Sequence, residues 1–482
     1  MSSKFKKELI SGIIYSGIGK YTSLFLSLLV TAILARILTP NDFGIIAIAT
    51  VIITFFNMIS EIGIAPAIIQ YKELSSNDIS NIFSLTVYIG IICSIVFFLI
   101  SPYIATFYHS EILVNILQYL SVSLLFATLN IVPNALFYRD KKFKFISIRT
   151  FFIQLIVGII SVISALLGLG VYSLLIPPIL SNIILFIVSY VYYPQVFTFY
   201  ISKEPIKKIF SFSSYQFLFN IINYLTRNLD KLLIGKFIDM TSLGYYEKSY
   251  RLMMLPLSNI SSVINPVLHP LLSDFQKSKN EMEIQYSKIV RLLGFIGIFI
   301  TTVCFWGAKE IILITFGEQW IDAVYVFKIL SLSIIFQLIM SPCGAIYQAT
   351  DSTKEMFRFG VFSIFTTILG FIIAIIFWKT AVAIAYSFII SIFINFIIGY
   401  NILYNKVFKR DYSLFILSLK HIWYLFALLF ISLKVIKYLI PIENIYISFI
   451  TIVSFTFLLE VSYMHFFKIY DLKLLLRTIN HH

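Results

Sequence analysis

Apolar residues fill this chain in runs separated by short polar connectors, almost without pause from residue 13 to residue 466. A helix of about 20 apolar residues crosses roughly 30 Å of hydrocarbon. On that measure the pattern predicts fourteen spans: 13–35, 43–69, 82–107, 113–137, 146–167, 171–193, 210–235, 243–272, 288–308, 323–348, 356–377, 380–404, 417–438 and 445–466. Several are longer than a straight crossing needs, so tilt, interfacial ends or kinks are expected. Pro66, Pro102, Pro133, Pro177, Pro178, Pro256, Pro266 and Pro342 sit in or beside spans, where neighbours or water must satisfy the freed carbonyls. The predicted fold is an all-α integral membrane protein with short connectors and no large domain outside the bilayer.

Composition agrees with that pattern and removes other classes. Apolar residues make up 59% of the 482 and charged residues 12%, against about 25% charged in soluble domains. Forty-eight Phe and 30 Tyr against 13 Pro and 19 Gly exclude disordered and collagen-like chains. With the N-terminus placed inside, the inner segments hold 25 Lys and Arg against 12 Asp and Glu, whereas the outer connectors carry more acids than bases. That bias sets the orientation, with both termini cytoplasmic. The net charge of +14 then points to membrane lipids on the anionic inner surface and not to nucleic acid.

The start, MSSKFKKELISGIIYSG, is basic and then apolar, but Lys20 interrupts the run and no small-residue cleavage site follows. It reads as a short cytosolic head on a retained first helix. The sequence has no G-x-x-x-x-G-K-[ST], H-E-x-x-H or C-x-x-C motif. Cys93, Cys304 and Cys343 are isolated in apolar stretches, and the histidines form no ligand-spaced pair except the terminal two. No metal, no cofactor and no enzymatic chemistry are expected. A membrane glycosyltransferase would need larger solvent-facing loops.

One internal echo bears on organisation. Residues 32–49, AILARILTPNDFGIIAIA, and 232–249, LLIGKFIDMTSLGYYEKS, both pass from an apolar helix through a basic residue and a polar turn to Phe43-Gly44 or Leu243-Gly244. Six spans separate them, an even number, so both copies keep one orientation. Parallel repeats related by an axis along the membrane normal are one arrangement of transporters. The expected domains are a six-helix lobe over 1–200, a second over 201–410, and 411–482 as two additional spans with a cytoplasmic tail, an appendage to the repeats.

The charges inside spans are the candidate site. In NIINYLTRNLDKLLIGK (220–236), Asn220, Asn223, Arg227, Asp230 and Lys231 recur at helical steps. The next span begins GYYEKSYRLMMLP, with Glu247 and Arg251 four apart and Lys248 between them. Two readings stay open. The charges can pair within their helices and snorkel to water, or the group, whose bases outnumber its acids, can neutralise an anionic group entering a cavity. Lys20 in the first span and Glu61 in the second each need a partner or a wet cavity. Glu61 is a candidate titratable coupling group, a counterion for Lys20, or a gate. In YRDKKFKFISIR (138–149), Arg139, Lys141, Lys142, Lys144 and Arg149 most simply enforce topology, and they also suit gathering an anionic lipid headgroup.

With these motifs in hand, the chain resembles the bacterial polysaccharide exporters of the multidrug/oligosaccharidyl-lipid/polysaccharide flippase superfamily, the branch exporting O-antigen-type lipid-linked repeat units. The likeness rests on ILARILTPNDFGIIAIATVI, on NYLTRNLDKLLIGKFIDMTSLGYYEKSYRLMMLPLSNISSVINPVLHPLLS and on FGEQW at 316–320. It implies two six-helix lobes around a cationic cavity, alternating access, and export of an undecaprenyl-pyrophosphate-linked oligosaccharide for lipopolysaccharide or related polysaccharide biosynthesis. Glycosyltransferases and a glycan polymerase are the implied partners in the bacterial cytoplasmic membrane. Substrate contacts would fall to Arg227, Lys231, Arg251, Lys20 and Asn223. Proton or sodium coupling, or gating, would fall to Glu61, Asp230 and Glu247. Export of another lipid-linked envelope precursor or a teichoic-type glycan fits the same chemistry, whereas a net cationic cavity disfavours a cationic drug.

Overall fold

The structure, a computed structural model, describes residues 3–61, 63–199, 221, 223–273, 275 and 278–468. All regular structure among them is helical, and the chain divides into two compact units, Met1–Gly244 and Tyr245–His482. The first unit contains α1 (Ser3–Ile37), α2 (Pro40–Glu61), α3 (Ile64–Gln70), α4 (Ser76–Tyr108), α5 (Ile112–Leu129), α6 (Ile131–Arg139), α7 (Phe143–Leu166), α8 (Ile176–Tyr192) and α9, residues 223–237. It ends within the first turns of α10 (Met240–Ser273). The second unit continues with α11 (Lys279–Trp306), α12 (Ala308–Phe316), α13 (Ala323–Ser331), α14 (Ser333–Met340), α15 (Cys343–Ala349), α16 (Thr353–Phe377), α17 (Ala381–Ile402), α18 (Tyr412–Ser418), α19 (Lys420–Leu439) and α20 (Ile445–Phe466).

Among the described residues, 12 segments are long and apolar enough to cross a membrane. They coincide with the expected spans except 210–235 and 243–272. Residues 210–220 and 222, Asn220 included, lie outside the described residues. The other exception, α10, is 34 residues long, but Glu247, Lys248, Arg251 and the polar residues Ser258, Asn259, Ser261 and Ser262 dilute its hydropathy.

The breaks inside long spans have local causes. Gly63 takes φ 71°, a left-handed conformation that ends the α2 path and starts α3. Pro66, Pro133 and Pro178 each occupy the third position of a helix, where the missing N–H would have had no intrahelical partner. Helix starts carry their own caps. Ser75 and Asp78 form a reciprocal capping box at α4. Thr39 N donates to Asp42 Oδ2 at 2.9 Å before α2, and Ser242 N donates to Asp239 Oδ1 at 2.7 Å before α10. The two copies of the sequence echo thus share a carboxylate-capped turn followed five residues into the helix by glycine.

Each unit has its own core. In the first, Ile64, Ala67 and Ile68 of α3 pack with Ile82 and Phe83 of α4 and Val132 and Ala135 of α6. In the second, Tyr286 of α11, Tyr400 of α17 and Phe415 of α18 are fully buried together with Ile422, Leu425 and Leu429 of α19. Tyr463 of α20 joins the same cluster. The last two spans therefore share the second unit's core.

Candidate functional site

The sequence around α9 folds so that its hydrophobic residues and one tyrosine meet α2. Tyr224 donates its hydroxyl to the Val51 carbonyl at 2.7 Å, and Gly235 leaves just enough room for Ile48. At its far end Lys236 Nζ donates to the Phe107 carbonyl at 2.6 Å and lies over the Phe107 ring. These anchors fix the rotation of α9 and so the direction of its charges. Asp230 turns inward, 2% exposed, and its Oδ1 accepts from the Lys231 backbone N–H at 2.8 Å. Asn223 and Lys231 are half-buried, while Arg227 is exposed. The stripe read from the sequence therefore holds one buried acid flanked by more accessible donors.

On α10 the second unit carries Glu247, half-buried, Lys248, buried, and Arg251, exposed. Ser249 Oγ donates to the Ala323 carbonyl at 3.1 Å and Tyr250 packs edge-on to Phe388, which orients this turn. Glu247 and Arg251, one helical turn apart, lie along the same side of α10. Lys20 is exposed on α1, and Glu61 is exposed as the last residue of α2, two residues before the Gly63 break. Guanidinium and ammonium groups at such positions can bind phosphate oxygens, Arg as a planar fork and Lys as a mobile point charge. Nothing in these arrangements supplies a nucleophile beside a base.

Three charged sites escaped sequence reasoning. Arg149, grouped above with the connector charges, stands two turns into α7 and is buried. It donates to Ser189 Oγ of α8 at 2.7 Å and to Asn134 Oδ1 of α6 at 2.9 Å, with its guanidinium 4.9 Å from the Phe137 ring centroid. Glu283 of α11 accepts from Arg410 NH1 at 2.8 Å, from Ser287 Oγ at 2.8 Å and from the Tyr404 hydroxyl at 3.0 Å. Glu310 of α12 accepts from Lys437 Nζ of α19 at 3.0 Å and Ser448 Oγ of α20 at 2.6 Å. Ser287 lies one turn from Glu283 on the same helix, but the other partners are 15 to 138 residues apart, and no local pattern in the chain announces them. Just past α8, the Tyr193 hydroxyl donates to Asp140, and burial together with that carboxylate pushes the hydroxyl well above the usual phenol range. It stays a donor, and Asp140 stays engaged.

Comparison with known proteins adds to this geometry. The family described as "Polysaccharide biosynthesis protein" matches residues 33–325, and the family described as "Lipid II flippase MurJ" matches residues 197–455. A Klebsiella pneumoniae protein described as an uncharacterized membrane protein in the cps region is 26% identical, with 84% of both chains covered. The Escherichia coli K12 lipopolysaccharide biosynthesis protein WzxC is 25% identical over 86% of this chain and 84% of its own. The Bacillus subtilis 168 teichuronic acid biosynthesis protein TuaB is 23% identical over 82% of each. In fold, the chain is similar to the solved lipid II flippase MurJ in its inward closed conformation, with a TM-score of 0.73, 16% identity, and coverage of 94% of this chain and 98% of that one.

Proposed function

We propose, from the premise that the chain belongs to the polysaccharide biosynthesis protein family, that it flips a lipid-linked cell-envelope glycan of the O-antigen or teichuronic type. It is a multi-pass protein of the bacterial inner membrane and a transporter of the multidrug/oligosaccharidyl-lipid/polysaccharide superfamily, not an enzyme. It moves a lipid-linked glycan across the membrane by alternating access. The observation that carries the finer reading is α9. Within residues matched by both families, α9 carries Arg227, Lys231 and Asn223 beside the buried carboxylate of Asp230.

In this reading the carrier is undecaprenyl pyrophosphate, and the helices form two six-helix lobes followed by two further helices. A pyrophosphate and a hydrophilic glycan cannot enter hydrocarbon unaided, so polar groups must replace their hydration while the polyprenyl tail stays in lipid. Arg227, Lys231, Arg251, Lys20 and Asn223 bind the headgroup and first sugars. Asp230, Glu61 and Glu247 serve ion coupling or gating, with a proton or sodium gradient as the drive. Glycosyltransferases that build the unit and a polymerase that extends it are the partners.

The relatives named for lipopolysaccharide and for teichuronic acid biosynthesis favour keeping two glycan classes in view. Vesicles containing the protein and either a neutral or a uronic-acid-bearing oligosaccharide on polyprenyl pyrophosphate separate them. Faster transfer of the neutral unit supports the O-antigen type, and faster transfer of the acidic unit supports the teichuronic type. Transfer of neither rejects the proposal.

A further inference from the structure

Away from the charged turns of α9 and α10, the connector between α6 and α7 concentrates positive charge at the end of the first unit that the charge bias assigns to the cytoplasm. Arg139, Lys141, Lys142 and Lys144 fall within six residues, with Asp140 as the single acid. Asp140 is engaged by the Tyr193 hydroxyl. Arg139 NH2 donates to the Lys72 carbonyl at 2.6 Å, which ties this connector to the one after α3. Lys142 and Lys144 are exposed, and each lies over a tyrosine ring instead of beside a carboxylate. Lys142 Nζ is 5.9 Å from the Tyr192 centroid and Lys144 Nζ is 5.7 Å from the Tyr15 centroid. Cation–π contacts of this kind leave ammonium protons for another acceptor.

The platform beneath is built of packed aromatic rings. Phe137 stacks on Phe145 at 5.0 Å with an interplanar angle of 10° and meets Tyr193 edge-on. Arg149 lies against Phe137 and holds α6 and α8 to α7. From Lys144 an apolar track then runs along α7. Ile148, Phe152, Ile156 and Ile163 recur at helical spacing, and each is between 45% and 54% exposed. A cationic end over an apolar track matches a headgroup and its acyl chain and not a free anion. Tyr138 and Tyr192 flank the cationic end, 42% and 46% exposed, as interfacial tyrosines do.

The geometry points to a binding site for an anionic glycerophospholipid of the inner leaflet, its phosphate on Lys142 and Lys144 and one acyl chain along Ile148, Phe152 and Ile156. The site is independent of the transported cargo. Native mass spectrometry of the delipidated full-length protein, titrated with phosphatidylglycerol or phosphatidylcholine, tests it. Wild type should prefer phosphatidylglycerol. Lys142→Gln/Lys144→Gln should weaken that binding roughly tenfold to thirtyfold, from about 1 kcal/mol per basic residue. Lys354→Gln/Arg358→Gln, in the first turns of α16, should leave it unchanged, and all three proteins should melt at the same temperature. Equal affinity in wild type and the Lys142/Lys144 variant overturns the proposal. So does displacement by equimolar inorganic phosphate, which would make the patch a plain anion site, or by polyprenyl pyrophosphate, which would make it a cargo site.

Discussion

Gly44 of α2 and Gly244 of α10 face each other where the first turns of the two helices cross. A Cβ on Gly44 would overlap the Met240 carbonyl oxygen, and a Cβ on Gly244 would overlap the Pro40 carbonyl oxygen. Each is the fifth residue of its helix, counted from Pro40 in α2 and Met240 in α10, and each helix begins at a carboxylate-capped turn. The crossing is reciprocal, so the same step in two similar sequence segments meets itself. Small residues at such crossings let backbones approach where lipid supplies no hydrophobic drive.

Gly44→Ala and Gly244→Ala should each destabilise the protein by about 3 kcal/mol or more, because the obstacle is backbone and no rotamer change relieves it. Gly360→Ala on α16, where a Cβ meets nothing, is the control. Thermal unfolding of the purified proteins in detergent reads the difference. An unchanged melting temperature for Gly44→Ala would show that the two helices do not meet there.

Arg149 is the second stability prediction. Lysine cannot fork to Asn134 and Ser189 together, so Arg149→Lys should cost about 2–3 kcal/mol, whereas Ser189→Ala, which removes one neutral partner, should cost about 1 kcal/mol. The two should be non-additive in a double-mutant cycle, since both remove the same bond. Additive effects on the melting temperature would mean that the bond does not form.

Part of this was legible from residues alone. Apolar run lengths located the spans, and the TPNDFG and DMTSLG turns located two equivalent helix starts, because caps and glycines act over four or five residues. Depth and partnership were not legible. Arg149 reads as a connector charge in KFKFISIR, yet α7 begins at Phe143 and carries it two turns inside. Asp230 and Arg227 sit three residues apart on one helix, but the Tyr224 contact with α2 turns the first inward and leaves the second exposed. Glu283 and Arg410 are 127 residues apart, and only packing of α11 against the turn after α17 joins them. The expected span 243–272 does form one continuous helix, α10, whose polar residues lower its hydropathy below that of the other long helices.

Glu310 and Lys437 join α12 to α19 in the second unit, with Lys437 Nζ also donating to the Trp306 carbonyl at 2.6 Å. Glu310 is 5% exposed, and the Lys437 side chain is 34% exposed. Lys437→Met should therefore cost about 2–3 kcal/mol, below the value for a fully buried pair, because it strands a buried carboxylate. Glu310→Gln/Lys437→Met should recover at least half of that loss. A double variant as unstable as the single one would show that lost packing, not the stranded charge, is responsible.

The central claim is that the basic residues of α9 carry an anionic lipid-linked glycan across the membrane. Its most direct test is leaflet-resolved translocation of a polyprenyl-pyrophosphate oligosaccharide in vesicles containing the purified protein, under controlled proton and sodium gradients. Arg227→Ala and Lys231→Ala are compared with wild type. Each lost charge-assisted bond is worth about 1.5–3 kcal/mol, so flux should fall roughly tenfold to a hundredfold in each variant while folding is retained. Wild-type flux that persists unchanged in both folded variants would contradict the account and leave these residues a structural role.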